Sequence, residues 1–145
     1  MPDAAQVLRV ILLELEPLYN HVADVGALCN DVGFGVANAH ALRIREQLLR
    51  LNADVTGHRL LRGGLFPGGA TVRALPSTNM LEDIQSDVHD IVDIALANTT
   101  VLDRFTGTAI LTAEQASEIG TLGYVARASG HQIDAPCAAS RWATR

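Results

Sequence analysis

Residues 4–32 read AAQVLRVILLELEPLYNHVADVGALCNDV, and this stretch decides the fold. Its apolar residues recur in steps of four and three, which predicts a long helix with one buried seam. Pro17 interrupts the pattern, because proline lacks an N–H and costs about 3 kcal/mol inside a helix. We therefore expect a kink near residues 13–17, or two helices end to end. The seam consists of Ala4, Leu8, Ile11, Leu15, Leu18, Val22, Val25, Cys29 and Val32.

Two more segments show helical periodicity. The first covers roughly residues 36–55 and ends at Thr56-Gly57, a common C-terminal signal; its seam is Ala37, Ala41, Ile44, Leu48, Leu51 and Val55. The second begins after Ser77 or Thr78, which suit an N-cap, and extends to about Asn98. Its predicted core face is Leu81, Ile84, Val88, Ile91, Val92 and Ala95.

The remaining segments are short or irregular. Residues 58–76 are rich in glycine, which indicates a loop with a short extended piece. Thr112 and Gln115 form the signature of a capping box for a brief helix ending at Gly120, and residues 123–145 show no periodicity. We predict a mostly all-α fold, an antiparallel bundle of three long helices plus short ones. Residues 1–130 form its helical core and residues 131–145 an irregular tail.

Composition excludes several classes of protein. The 145 residues suit one domain, and 48% of them are apolar, enough for a core. A net charge of −5 argues against nucleic-acid binding, which needs a basic surface. The sequence contains no lysine, so a Schiff-base lysine and a P-loop lysine are both excluded. Cys29 and Cys137 lie far apart and form no C-x-x-C pair, so no cysteine pair is spaced as metal ligands.

Targeting signals are not visible in the sequence. The most apolar run, Val10 to Leu15, is far shorter than the ~20 residues of a membrane-spanning helix. No basic region precedes an apolar stretch at the N-terminus, so we expect a cytoplasmic protein.

Titratable side chains follow a second stripe of the first helix. At 100° per residue, His21, Asp24 and Asp31 project within roughly 80° of one another. A histidine beside carboxylates suits proton transfer, although a solvated helix face gives the same pattern. Arg45 and Glu46 suggest a structural charge pair. Cys29 lies on the seam and is expected to be a core thiol.

A succession of short motifs resembles one known family. It is similar to the large subunit of membrane-bound nickel–iron hydrogenases of the formate hydrogenlyase type, and to the homologous 49-kDa subunit of respiratory complex I, the NADH–quinone oxidoreductase. Each motif is weak alone, but the ordered set at fixed spacing is specific. The motifs are Leu8-Arg9-Val10 with Glu14, Leu18-Tyr19-Asn20-His21-Val22, Asp31-Val32-Gly33, Arg45-Glu46, Thr56-Gly57-His58-Arg59 and Pro67-Gly68-Gly69.

The resemblance implies roles for three residues. Asp31 matches the aspartate that complex I relatives couple to their quinone-binding histidine, and His21 becomes a second candidate for proton transfer. Arg59 matches the family's Gly-x-Arg, which implies a place near an iron–sulfur cluster of a partner subunit or an anchor for the following loop. An arginine bonded to helix carbonyls is the alternative.

The resemblance also implies what this chain lacks. Family members hold nickel and iron with two C-x-x-C pairs, or bind quinone with a histidine and a tyrosine, and this sequence contains none of these motifs. We therefore expect no cofactor in the chain itself. The expected partners are an iron–sulfur small subunit and membrane subunits, which would place the chain at the inner face of a membrane. The family's fourth bundle helix is also missing, so we expect an apolar groove and a homodimer in isolation.

Two functions remain open. The chain is a segment of an oxidoreductase large subunit for electron and proton transfer, inactive alone, with Asp31, His21 and Arg59 as its candidate residues. Alternatively, it is a non-catalytic helical scaffold or interaction domain derived from that family.

Overall fold

The computed structural model describes residues 3–131, with side chains from Ala4 onward. Within this range the chain forms six helices and one small hairpin, which confirms the mostly all-α prediction. The elements in chain order are α1 (Asp3–Asp31), α2 (Gly35–Thr56), β1 (Leu65–Phe66), β2 (Gly69–Ala70), α3 (Thr78–Ala97), α4 (Thr99–Phe105), α5 (Ala113–Glu118) and α6 (Gly123–Ala128).

Helix α1 is one continuous helix of 29 residues that contains Pro17. The expectation of two helices end to end is therefore wrong. Buried side chains lie on both sides of the proline, Leu12 and Leu15 before it and Tyr19 and Val22 after it. This burial supplies free energy that offsets the hydrogen bond lost at Pro17.

Helices α1 and α2 form an antiparallel hairpin. The turn is closed by backbone hydrogen bonds from Gly33 N–H to Asn30 (2.9 Å) and from Phe34 N–H to Cys29 (2.8 Å). Gly33 has a φ of 90°, a conformation that favours glycine. The predicted seam of α2 is confirmed, because all six of its residues are buried.

Gly57 ends α2 as the sequence predicts. Its φ is 88°, and its N–H donates to the carbonyl of Ala53 at 2.7 Å, which is the left-handed helix cap. The guanidinium of Arg73 packs directly on this glycine, and a Cβ there would lie 2.1 Å from Arg73 Cζ. The backbone N–H of Arg73 also donates to Val55 O at 2.7 Å, so the chain after the hairpin is fastened to the end of α2.

The glycine-rich segment contains the expected extended piece. Strands β1 and β2 pair antiparallel, with Leu65 opposite Ala70 and Phe66 opposite Gly69. Gly68 has a φ of 86°, which suits the position after a proline in a tight turn. The ring of Phe66 covers Gly69, where a Cβ would lie only 2.5 Å from Phe66 Cζ.

Helix α3 begins at the predicted cap and runs antiparallel to α2. Ser77 Oγ accepts a hydrogen bond from Met80 N–H at 3.3 Å. Ile84 and Ile91 join the main core with α1 and α2. Leu81, expected in the core, is 39% exposed, so that part of the predicted face is wrong. A smaller cluster, in which Val101 of α4 is fully buried, covers the α1–α2 turn: Cys29, Ala37, Ala95 and Val101.

The chain divides into two compact units, the first ending at Phe105 and the second beginning at Thr106. In the second unit, Thr112 and Gln115 form the predicted capping box of α5. Helix α6 has no counterpart in the sequence analysis. That residues 1–130 form one helical core stays a prediction. The predicted irregular tail, residues 131–145, lies outside the described residues except for His131.

Candidate functional site

The three titratable groups of the first helix lie on one exposed stripe of α1. His21, Asp24 and Asp31 are all exposed. His21 and Asp24 are one helical turn apart, whereas Asp31 lies ten residues beyond His21, about 15 Å along the axis. The three side chains therefore share one exposed stripe of α1, but only His21 and Asp24 lie close together.

His21 also lies at the rim of an apolar groove between α1 and α3. The groove has a volume of about 130 Å³. Its walls are aliphatic, so the imidazole is the titratable group among its lining residues. The aliphatic lining consists of Leu18, Val22 and Val25 from α1 and Val88, Ile91 and Val92 from α3.

Arg59 is held by a carboxylate of α2. Its guanidinium makes a bidentate contact with Glu46, from Nη1 to Oε1 at 3.0 Å and from Nη2 to Oε2 at 2.6 Å. Arg50 Nε donates to the same Oε1 at 2.9 Å. The hydrogen bond from Arg59, followed by that from Arg50, lowers the pKa of Glu46 to about 2. The pKa of Arg59 is raised by the same bond.

The interpretation of Arg45 and Glu46 as a charge pair is wrong. Consecutive residues of a helix point in directions 100° apart and do not face each other. Arg45 instead lies over the ring of Tyr19, with its Cζ 5.9 Å from the ring centroid. Glu46 thereby remains available to Arg59 and Arg50.

The structure does not join the three candidates into one site. Asp31 ends α1 at the turn into α2, whereas Arg59 lies beyond the far end of α2 and reaches back to Glu46. Glu46 is eleven residues from the start of α2, about 16 Å along its axis. His21 lies about 15 Å from Asp31 along α1, at about the level of Glu46 in the antiparallel hairpin. Any shared function would therefore need groups that come from other chains or segments.

Two polar features of α2 were not predicted from the sequence. Arg43 pairs with Asp87 of α3 through two hydrogen bonds of 3.0 and 2.9 Å, which lower the pKa of the aspartate. Asn52 is fully buried, and neither polar atom of its side chain has a hydrogen-bond partner. Asn52 follows Leu48 of the seam by four residues, about one helical turn, and this spacing could have predicted that Asn52 is buried.

The described residues do not fit the nickel–iron group. Within residues 3–131, no three histidine, cysteine or carboxylate side chains come together as a donor set for a metal ion. Cys29 is 1% exposed in an apolar cluster, where burial raises the pKa of its thiol and disfavours the thiolate that a metal needs. In the same range no helix is long and apolar enough to cross a bilayer.

Comparison with known proteins gives a consistent set of relatives. The chain is 31% identical over 140 residues to formate hydrogenlyase subunit 5 of Escherichia coli, a match covering 92% of the chain and 24% of that protein. It is 33% identical to a subunit of the F(420)H(2) dehydrogenase of Methanosarcina mazei, and 30% identical to a subunit of the NADH-quinone oxidoreductase of Geobacter metallireducens. Each match covers 92% of the chain, and 37% and 36% of the respective relative.

The chain thus spans less than two fifths of the length of these relatives. The family model of the 49-kDa subunit of the respiratory-chain NADH dehydrogenase matches residues 31–139. Since this match covers most of the sequence, the chain belongs to the 49-kDa subunit family of the respiratory-chain NADH dehydrogenase.

Proposed function

We propose that this chain is the helical core of an oxidoreductase large subunit that takes part in electron and proton transfer. The observation that carries the proposal is the similarity over 92% of the chain to subunits of hydrogenase and quinone-reductase type. A second part of the proposal is that the chain is inactive alone.

In this function the three predicted residues act through different chemistry. The exposed imidazole of His21 and the carboxylate of Asp31 exchange protons with groups from outside the chain. The guanidinium of Arg59, fixed by Glu46, places a positive charge that tunes a nearby redox centre. The partners would be an iron–sulfur small subunit and membrane subunits, with the chain peripheral to the cytoplasmic face of the membrane.

The purified chain tests inactivity directly. We expect neither nickel nor iron in stoichiometric amounts by elemental analysis, and no turnover with dihydrogen or quinone. Stoichiometric metal, or turnover by the chain alone, would overturn this part of the proposal.

Co-purification with an iron–sulfur subunit encoded beside the chain's gene tests the partnership. We expect a complex whose cluster shifts to a more negative reduction potential when Arg59→Gln removes the positive charge. Leu42→Gln, on the outer surface of α2 at 48% exposure, is the matched control. An unchanged potential in a complex that still forms would remove Arg59 from the proposal.

A non-catalytic scaffold is the second candidate, and the Arg59–Glu46–Arg50 contact favours it. A bidentate pair that fastens the segment after α2 to the helix itself is a structural device. If the chain is a scaffold, Glu46→Gln lowers its thermal stability and leaves the reduction potential of the partner's iron–sulfur cluster unchanged. If the chain takes part in electron transfer, Glu46→Gln changes both the stability and the potential.

We further propose that the isolated chain is a homodimer. Exposed aliphatic side chains on α1 and the open groove beside them support self-association, since clustered apolar surface marks interaction sites. Sedimentation of the purified chain tests this proposal, and a monomer at all concentrations would overturn it.

A further inference from the structure

The surface of α1 beside the groove carries a stripe of seven positions. Val7, Val10 and Leu28 are 59%, 52% and 54% exposed, although all are large and aliphatic. Glu14 and His21 are exposed on the same stripe, and Leu18 and Val25 are half-buried at the groove. At 100° per residue these positions fall within a strip roughly 80° wide, narrow enough for a single helix contact face.

Six of the seven positions are symmetric in sequence about the bond between Pro17 and Leu18, and Leu18 is related to Pro17. Val7 and Leu28 are equally distant from this point, as are Val10 and Val25, and as are Glu14 and His21. In an antiparallel pair of identical helices, positions related in this way lie opposite each other. Apolar side chains would thus meet apolar side chains, and each carboxylate would meet an imidazole.

We propose that this stripe is the contact face of a twofold-symmetric dimer in which α1 packs antiparallel on the α1 of a second copy. In this arrangement Val10 meets the partner's Val25 and Glu14 meets the partner's His21. A twofold contact requires a self-complementary surface, and the stripe meets that requirement in both polarity and charge. The assignment rests on the self-association proposed above and gives it a surface and a register.

Helix α3 begins at Thr78 and lies along the later part of α1, where Val88, Ile91 and Val92 meet Leu18, Val22 and Val25. In the antiparallel register, the partner's Val10 lies opposite Val25 at one end of this groove, and the partner's Val7 lies opposite Leu28, about one helical turn further along α1. The same contact places Val10 of the first copy at the end of the partner's groove.

Charge variants test the register. Glu14→Arg sets a cation opposite the partner's His21, and His21→Glu sets a carboxylate opposite the partner's Glu14. We expect each single variant to weaken the dimer about tenfold or more by sedimentation, and the double variant to restore it. A double variant as weak as the single variants would overturn the antiparallel register.

A substitution in the apolar part tests the surface. Val10→Arg is expected to give a monomer. Leu42→Arg introduces the same side chain at a similarly exposed site of α2 and is expected to leave the dimer intact. Circular dichroism checks that both variants keep their helices. A dimer that survives Val10→Arg would overturn this surface while leaving self-association standing, and a monomeric wild-type chain would overturn both.

Cross-linking gives a readout that does not depend on weakening the dimer. Pro17 lies next to the symmetry axis, so Pro17→Cys places two thiols near each other across the interface. We expect a short bis-maleimide to link the Pro17→Cys chains into dimers far faster than Leu42→Cys chains, which carry the same native cysteines. Equal rates for the two variants, as expected if another partner covers the groove, would overturn the proposal.

Discussion

Asn52 is a buried amide that makes no hydrogen bond with its side chain. Its side chain is 0% exposed, and both Oδ1 and Nδ2 lack a partner. An unpaired buried polar group costs roughly 1–3 kcal/mol, whereas an apolar group of the same shape costs little. We therefore expect Asn52→Leu, which keeps the branching at Cγ, to raise the free energy of unfolding by about 1–3 kcal/mol in chemical denaturation.

Asn52→Asp is the matched contrast, because it buries a charge at the same site and is expected to destabilise the chain. If Asn52→Leu instead lowers the free energy of unfolding, the amide is satisfied in solution, for example by a buried water molecule.

Glu46 makes stability depend on pH through its two arginine partners. Its pKa is lowered from the ordinary 4.5 to about 2, because Arg59 and Arg50 hydrogen-bond the carboxylate. A lowered pKa in the folded state contributes stability that is fully present above the unfolded value and lost as pH falls through the folded value. We expect the melting temperature of the wild type to exceed that of Glu46→Gln at pH 7, and the difference to shrink between pH 4.5 and 2.

Glu82→Gln, at an exposed glutamate of α3, serves as the control in the same pH series. A wild-type advantage over Glu46→Gln that stays constant down to pH 2 would contradict the assigned role of the arginines.

Helices of three or more turns were predictable because their apolar side chains repeat with the helix period. The seam of α2, its cap at Gly57 and the cap of α3 at Ser77 are all found where the sequence places them. Helix α6 has only six residues, too few for a periodic pattern, and its only fully buried residue is Ala126. The carboxylate that holds Arg59 was missed because the two residues are 13 positions apart and meet through a loop.

Pro17 is the weakest position of α1 as a helix. The helix continues through it, yet the proline removes one backbone N–H and crowds the carbonyl four residues earlier. We expect Pro17→Ala to raise the free energy of unfolding by up to about 3 kcal/mol, measured by denaturant titration of the far-ultraviolet signal. Pro76→Ala, just before the N-cap of α3, is expected to change it much less. Equal effects at the two sites would indicate that packing has already relieved the cost at Pro17.

The first compact unit is organised around α2, which contacts both other long helices. Leu12, Leu15 and Val22 of α1 share its core with Ile84 and Ile91 of α3. Arg43 adds an ion pair to α3 at Asp87. The sequence predicts which face of each helix is buried, but it does not specify which faces meet. The position of the apolar groove between α1 and α3 therefore depends on how the helices pack.

Gly26 lies close against Ala41 and Asn38 of α2, and two physical effects oppose each other when it is replaced. Alanine in a helix interior is favoured over glycine by about 1 kcal/mol. A Cβ at this position, however, would lie 2.5 Å from Ala41 Cβ and 3.2 Å from Asn38 Cα, which forces the helices apart. We expect packing to dominate, so that Gly26→Ala lowers the free energy of unfolding by about 1–3 kcal/mol.

The compensating double variant Gly26→Ala with Ala41→Gly removes the contact with Ala41 and should recover part of the loss. Ala27→Gly, at an exposed site one residue along α1, measures the helix propensity term alone and is expected to cost about 1 kcal/mol. A Gly26→Ala variant more stable than the wild type would mean that α1 and α2 separate at little cost. The hairpin would then be held by its aliphatic side chains rather than by close backbone contact.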